Sequence, residues 1–452
     1  MKTTGMLIAA AVLLALTGVL YWSDHRKASD SLTTSASSTG EAPAPKILTL
    51  KDADISKIDI KKKSADSVEV TKDAAGKWQI TAPKPLAADQ DAVTSLVSSA
   101  ASLNSDRLID EKGADLKPYG LAEPSIEVDI TTKDKDQKLL LGDDTPTGSA
   151  TFAMLAGDPR VFTIASYTKS SFDKSANDLR DKRLLTVDFD KVSQIELVAK
   201  KQDITFAREK DTWQILKPKP LRADNSSVED LSRKLRDAKM DVSSSAPDEK
   251  KAAAAFASGT PVATAKLTGT SGTQEIQVRK NKDEYYAKST AVAGIYKVPG
   301  DLGTGLDKAL DDFRNKKLFD FGYTDVGKVE MRDGAKAYFV TKGGQDWWID
   351  GKKMDPVSVE TLVDKIRELS AKKFVDSGFT TPAVDLTVTS GEGKRVEKVQ
   401  IAKSGDNYIA KRENEPSLYQ LDATVVTELQ KAAADIKPLP EAKPAATPPT
   451  KK

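Results

Sequence analysis

Trp78-Gln79-Ile80-Thr81-Ala82-Pro83-Lys84-Pro85-Leu86 returns as Trp213-Gln214-Ile215-Leu216-Lys217-Pro218-Lys219-Pro220-Leu221, and a degraded copy opens at Trp347-Trp348-Ile349. The step from 78 to 213 is 135 positions, and from 213 to 347 it is 134. Solenoid repeats recur every ~20–50 residues, so a period this long makes each copy a small domain. At about 150 residues per domain, 452 residues also suggest three.

The neighbourhood of each tryptophan follows one plan. Ile58-Asp59-Ile60 and Val68-Glu69-Val70 alternate as half-buried strands do, and Gly76 turns the chain into the tryptophan strand. Pro-x-Pro then ends that strand, because proline lacks the ladder donor. Asp89 reads as the N-cap of a helix with a stripe of Ala92, Val93, Leu96, Val97, Ala100 and Leu103. Asp224 with Val228, Leu231 and Leu235 repeats the pattern. Asp355-Pro356 with Val359, Leu362, Val363, Ile366 and Leu369 repeats it again.

The second half of each copy is rich in strands. Pro124, Pro261 and Pro382 precede alternating runs beginning at Ile126, Val262 and Val384. Later strands match as Asp283-Glu284-Tyr285-Tyr286-Ala287-Lys288 and Asp406-Asn407-Tyr408-Ile409-Ala410-Lys411. Short strands with hairpin-length connections and few helices indicate α+β. The expectation is three tandem repeats of a mainly antiparallel sheet with two helices each, over 47–187, 188–321 and 322–437.

Outside the repeats, residues 5–22 form an uncharged run after Lys2. Eighteen helical residues at about 1.5 Å each span roughly 27 Å, close to a bilayer's hydrocarbon thickness. Tyr21 and Trp22 stand where an interfacial aromatic belt would lie. Residues 1–22 therefore read as a transmembrane anchor with a cytoplasmic N-terminus; the rival reading is a cleaved signal peptide, for which Ala15-Leu16-Thr17 is a poor cleavage site. Residues 23–46 read as a flexible linker and 438–452 as a disordered tail.

Lys plus Arg (69) nearly cancels Asp plus Glu (67), so no net field points to nucleic acid. With no cysteine, disulfides, thiolate zinc sites and cysteine nucleophiles are excluded. The single histidine, His25, sits in the tether, where no catalytic triad could be held.

The W-x-I-x-x-P strand, the helix and Leu116-Lys117-Pro118-Tyr119-Gly120-Leu121-Ala122-Glu123-Pro124 together resemble a bacterial family known as domain of unknown function 4340. Leu140-Leu141-Gly142-Asp143-Asp144-Thr145-Pro146 and Arg180-Asp181-Lys182-Arg183-Leu184-Leu185 belong to the same resemblance. The second copy has Phe256-Ala257-Ser258-Gly259-Thr260-Pro261 in place of Tyr-Gly-Leu, and the third has Gly378-Phe379-Thr380-Thr381-Pro382. The resemblance implies a membrane-anchored, outward-facing protein associated with ABC-type export or gliding-type transport systems. It carries no catalytic residues.

The remaining candidates have plainer readings. Asp134/Asp136 and Asp143-Asp144 lack calcium-loop spacing and read as solvated turns. Lys61-Lys62-Lys63 reads as a charged hairpin end rather than a polymer or lipid contact. Leu302-Gly303-Thr304-Gly305-Leu306 lacks the lysine of a phosphate loop and reads as a turn into a helix. Trp78, Trp213 and Trp347 could be sugar platforms, but strands beside an apolar helix favour core packing. Pro83-Lys84-Pro85 and Pro218-Lys219-Pro220 read as extended edge segments.

No catalytic, cofactor or metal residue is assigned, and the binding residues are not identified. The expected function is a non-enzymatic accessory or scaffold at the cytoplasmic membrane, with its C-terminal region in the periplasm or cell exterior. Its expected partners are proteins such as ABC-type transporter subunits, with no nucleic acid. A cell-wall or polysaccharide-binding module is the alternative, and a carboxylate-dependent hydrolase stands third.

Overall fold

Alternation along the strands sets the layers: one side of each sheet is apolar and carries the long helices, and the other is mostly polar, with a small apolar cluster of its own in the first and second sheets. The structure, a computed structural model, describes residues 45–440 except positions 244 and 324. The anchor over 1–22, His25, all but the last residues of the 23–46 linker, and the tail beyond 440 lie outside the described residues. Among the described residues no helix is long and apolar enough to cross a membrane.

The chain divides into two compact units, one ending at Leu179 and the next beginning at Arg180. The first carries a nine-stranded sheet, and the second carries an eight-stranded and a nine-stranded sheet. All pairings between their strands are antiparallel, so the α+β class with mainly antiparallel sheet is what the chain adopts.

Each large sheet is built on two four-stranded meanders joined along their first strands, and the first and third carry a ninth strand at one edge. In the first sheet Ile55–Lys62 lies beside Ile126–Thr132, with Ile58 opposite Ile130 and Ile60 opposite Val128. In the second, Ile195 stands opposite Leu267 and Leu197 opposite Ala265. In the third, Val329 faces Val388 and Met331 faces Leu386. These central pairs are buried and form the floor on which the helices rest.

The helices Gln90–Ala101, Asn225–Arg236 and Pro356–Arg367 begin where the capping aspartates predict. The Asp89 carboxylate accepts from the backbone N–H of Asp91 and Ala92, and that of Asp224 from Ser227. Asp355 holds the N-cap position without a side-chain capping bond, and Pro356 supplies a first-turn residue that has no N–H to satisfy.

Two helices per repeat holds only for the third sheet, with Pro356–Arg367 and Ala423–Ala434. The first has Ser166–Phe172 and the short Ala176–Leu179 besides Gln90–Ala101. The second has Glu249–Ser258 and Gly300–Leu306 besides Asn225–Arg236. Glu249–Ser258 forms because Asp248 caps it through the Lys251 N–H and four consecutive alanines favour helix. Leu302-Gly303-Thr304-Gly305-Leu306 is not a turn into a helix but lies within the helix Gly300–Leu306. A Cβ on Gly303 would meet the Tyr285 ring at 2.1 Å, so glycine lets that helix close on the sheet.

The expected boundaries at 187/188 and 321/322 also move. Leu184, Leu185 and Val187 are buried in the core of the second sheet, and Leu318, Phe319 and Phe321 in that of the third. The reason is a second small pairing, in which the chain entering each sheet lies against the chain leaving its first long helix. Lys46–Thr49 pairs with Ser102–Asn104, Arg183 bridges Lys239, and Lys317 bridges Ser370. Arg183-Leu184-Leu185 and Lys317-Leu318-Phe319 thus stand where Lys46-Ile47-Leu48 stands, and they open the following sheet.

Candidate functional site

Trp78, Trp213 and Trp347 come first because they define the repeat. Their relative exposures are 5%, 2% and 4%, which places them in the three cores and removes them as sugar platforms. Each lies across the ladder from a basic residue whose charge sits over the ring: Lys72 at 4.9 Å, Arg208 at 5.6 Å and Lys342 at 5.5 Å. The first residue of the helix clamps the tryptophan backbone in two copies. Gln90 accepts from the Trp78 N–H and donates to the Trp78 carbonyl, both at 2.9 Å, and Asn225 accepts from the Trp213 N–H at 2.6 Å.

Two of the motifs behind the family resemblance, residues 116–124 and 140–146, meet on the outer face of the first sheet. Lys117–Tyr119 makes a single 3-10 turn closed by Gly120 at φ 66°. A Cβ on Gly120 would lie 2.4 Å from the Asp143 carboxylate carbon, and one on Gly142 would lie 2.1 Å from the Tyr119 carbonyl oxygen. The two glycines therefore let the Tyr-Gly-Leu turn seat on the strand Asp136–Asp144. The Ser125 hydroxyl donates to the carbonyls of Leu141 (3.0 Å) and Gly142 (2.9 Å). Beneath the turn Leu121, Met154 and Val161 form a small second core, with Tyr119 packed 5.1 Å from Phe152. In the second sheet the helix Glu249–Ser258 provides the equivalent cover by packing Ala252 and Phe256 against Tyr286 of the strand Glu284–Ser289.

Gly142→Ala is expected to destabilise the first unit by about 1–3 kcal/mol, because the added methyl group meets backbone rather than a movable side chain. Thermal unfolding of the variant measures this. An unchanged melting temperature would mean that the motif glycine is not there for close approach.

The charged candidates are paired within the fold. Lys61 bonds Asp129 at 2.7 Å, Lys62 bonds Asp173 at 2.8 Å and Lys63 bonds Glu123 at 2.6 Å. Lys61 and Lys62 end the strand Ile55–Lys62 and Lys63 starts the turn into Ala65–Lys72, so the run is the charged end of a hairpin. Asp144 accepts from the Thr151 hydroxyl (2.6 Å) and from Lys169 (2.9 Å), and these bonds hold its carboxyl below its ordinary range. Its neighbour Asp143 lies against Gly120 instead. Asp136 opens a strand, and Asp134 lies in the hairpin turn before it. Leu86–Ala87 and Leu221–Arg222, directly after the Pro-Lys-Pro segments, are the edge strands there.

Sequence reasoning missed the strongest electrostatic feature, the joint between the second and third sheets. Arg222 donates to the Asp320 carboxylate and the Lys317 carbonyl, and its Nε lies 2.8 Å from Glu415 without the alignment of a hydrogen bond. Arg412 reaches the same Glu415 oxygen at 2.8 Å and Glu397 at 3.2 Å, and donates to the Leu318 carbonyl at 2.7 Å. Glu397 also accepts from the Asp320 N–H at 3.0 Å, and Tyr419 donates to Glu415 at 2.6 Å. Burial raises the Tyr419 pKa, outweighing the opposing pull of Arg222. Burial would lower the Arg222 pKa, but Asp320 leads the opposing interactions that raise it. The only local hint was Arg222 after Pro-Lys-Pro-Leu; its acidic partners lie 98 or more positions away.

In the comparisons, the profile of the family described as Domain of unknown function (DUF4340) matches residues 78–215 and 213–387. The first match runs from the Trp78 strand to the Trp213 strand, and the second from Trp213 past Trp347 into the strand Val384–Ser390, so each includes the passage from one sheet to the following one. No curated protein matches the chain. Among solved structures, the DNA polymerase sliding clamp from Pseudomonas aeruginosa aligns over 83% of this chain and 93% of its own. Its identity is 7% and its TM-score 0.16, which is too low to carry any argument. Two matches that together span most of the described residues settle the family: the chain belongs to the Domain of unknown function (DUF4340) family.

Proposed function

We propose that this protein is a membrane-anchored, extracytoplasmic scaffold that binds a protein assembly of the cell envelope, of the ABC-type export class that its family resemblance implies. Residues 1–22 anchor it, the linker that follows acts as tether, and the sheets present their faces to the partner without turnover of their own. The observation that supports this reading is the joint of Arg222, Asp320, Arg412 and Glu415. Flexibly strung domains need no such network. A partly buried group of ion pairs ties the second and third sheets together, as an arm with large fixed faces requires. The polysaccharide-binding alternative draws no support from the repeated tryptophans, because they are buried.

Crosslinking in intact cells, with the repeats deleted one at a time, tests the proposal. Recovery of transporter subunits, lost on deletion of one repeat, is the expected result. Retention on insoluble glycan without any protein partner would replace the scaffold reading with the glycan-binding one.

A further inference from the structure

The second sheet lacks a strand that its two sisters have. In the first sheet Arg107–Asp110 closes the edge on Val161–Ala165, with Leu108 opposite Phe162. In the third, Lys373–Val375 closes it on Leu418–Leu421, with Phe374 opposite Tyr419. The second sheet ends at Ile295–Val298, and among the described residues no strand pairs with its outer side. The approach is the same in all three: the N–H groups of Asp106, Lys372 and Asp241 donate to the carbonyls of Thr163, Gln420 and Lys297 at 2.7, 2.9 and 2.8 Å. Two residues later the sisters place Leu108 and Phe374, and the second sheet places Ser243. There the Asp241 carboxylate accepts from the Ser243 N–H (3.0 Å) and hydroxyl (2.7 Å), which turns the chain away after one bond.

The site left behind has defined chemistry. The Lys297 carbonyl turns outward and is taken by the Asp241 N–H, and strand alternation turns the backbone groups of Ile295 to the same side, beyond the point where the chain leaves. Beside them Arg180 is 7% exposed, lies 5.3 Å above the Tyr296 ring and has a buried Nε without a hydrogen-bond partner. Its counterpart in the third sheet, Arg314, lies 3.4 Å over the ring of Phe374, the residue supplied by the closing strand. Phe374 in turn packs 5.3 Å from Tyr419, which occupies the place of Tyr296.

We infer that the outer edge of Ile295–Val298 is a docking site for an extended segment of a partner protein, added antiparallel with an aromatic or large apolar residue opposite Tyr296. The sister sheets define this occupant, since their own chain fills the equivalent edge with that register and that residue. Main-chain bonds to Ile295 would give the strand its place, and the side chain over Tyr296 and Arg180 would give it selectivity. The inference rests on the scaffold reading and names the class of segment that the scaffold takes.

The test uses the full-length protein and a synthetic peptide, Lys-Lys-Phe-Val-Asp-Ser, copied from residues 372–377. Hydrogen exchange followed by mass spectrometry is expected to slow over 291–298 on saturation with the peptide, and not at the closed edges of the sister sheets. Replacing its phenylalanine by serine should weaken binding about tenfold, the loss of one buried ring. Ile295→Pro, which removes an outward N–H, should abolish the protection; should that variant not fold, the two peptides decide the question by themselves. Absent protection, or equal affinity of the two peptides, overturns the inference. So does protection of 291–298 in the free chain, or a concentration-dependent dimer broken by Ile295→Pro, because either names a different occupant. A photo-crosslinker placed in cells at Ile295 and at the exposed Val357 separates the two readings. Capture of envelope proteins at Val357 but not at Ile295 overturns only the edge; capture at neither position overturns the scaffold as well.

Discussion

Trp213→Ala is expected to lower stability by about 3–5 kcal/mol, with the loss confined at first to the core of the second sheet. Three contributions act together. The indole is 2% exposed, so its removal leaves a cavity among Ile204, Phe206, Ile215 and Val228, which share its core. Its N–H donates to Glu229 at 2.7 Å, and Arg208 loses the ring beneath its guanidinium. Trp348, one position past the equivalent tryptophan of the third sheet, is the internal control. It is 37% exposed and points to the other face, so Trp348→Ala should change stability by only about 0.5 kcal/mol. Urea unfolding followed by far-UV circular dichroism compares the two. Similar small losses would show that burial of the repeated tryptophan does not support the fold.

Arg222→Ala is expected to cost about 2–3 kcal/mol, somewhat less than full breakage of a deeply buried pair because the side chain keeps 18% exposure. The substitution leaves Asp320 and Glu415 facing each other around Arg412 alone. Salt distinguishes this joint from a surface pair. Exposed charges are screened within about 3 Å at 1 M salt, whereas a partly buried network is screened less. The deficit of Arg222→Ala should therefore persist in 1 M salt, while any effect of removing the exposed Lys63–Glu123 pair should vanish there. A deficit that disappears with salt would make the joint an ordinary surface contact.

The local parts of this architecture were legible. Period-2 alternation located the central strands, the apolar stripes located the long helices, and the capping aspartates located their first residues, because each signal lies within a few positions of what it specifies. Glu249–Ser258 was also within reach, since Asp248 followed by an alanine run is a helix start. The boundary shift had its own signal. Lys46-Ile47-Leu48, Arg183-Leu184-Leu185 and Lys317-Leu318-Phe319 recur at the repeat period, yet the arginine-rich motif reads more easily as an ending than as a beginning.

What the sequence could not show is pairing over long separations. Lys61, Lys62 and Lys63 look like a free basic patch until Asp129, Asp173 and Glu123 arrive from 68, 111 and 60 positions away. Gly142 looks like a turn residue until the Tyr119 carbonyl is placed against it. The joint around Glu415 draws on separated stretches of chain, each of which reads alone as an ordinary charged surface.

The most direct test of a fixed binding arm compares wild type and Arg222→Ala in intact cells, at a temperature where both are folded, by crosslinking and quantifying the captured envelope proteins. If the joint sets the geometry that the partner reads, capture of transporter subunits should fall several-fold in the variant while its abundance and membrane association stay level. Equal capture by the two proteins would contradict it.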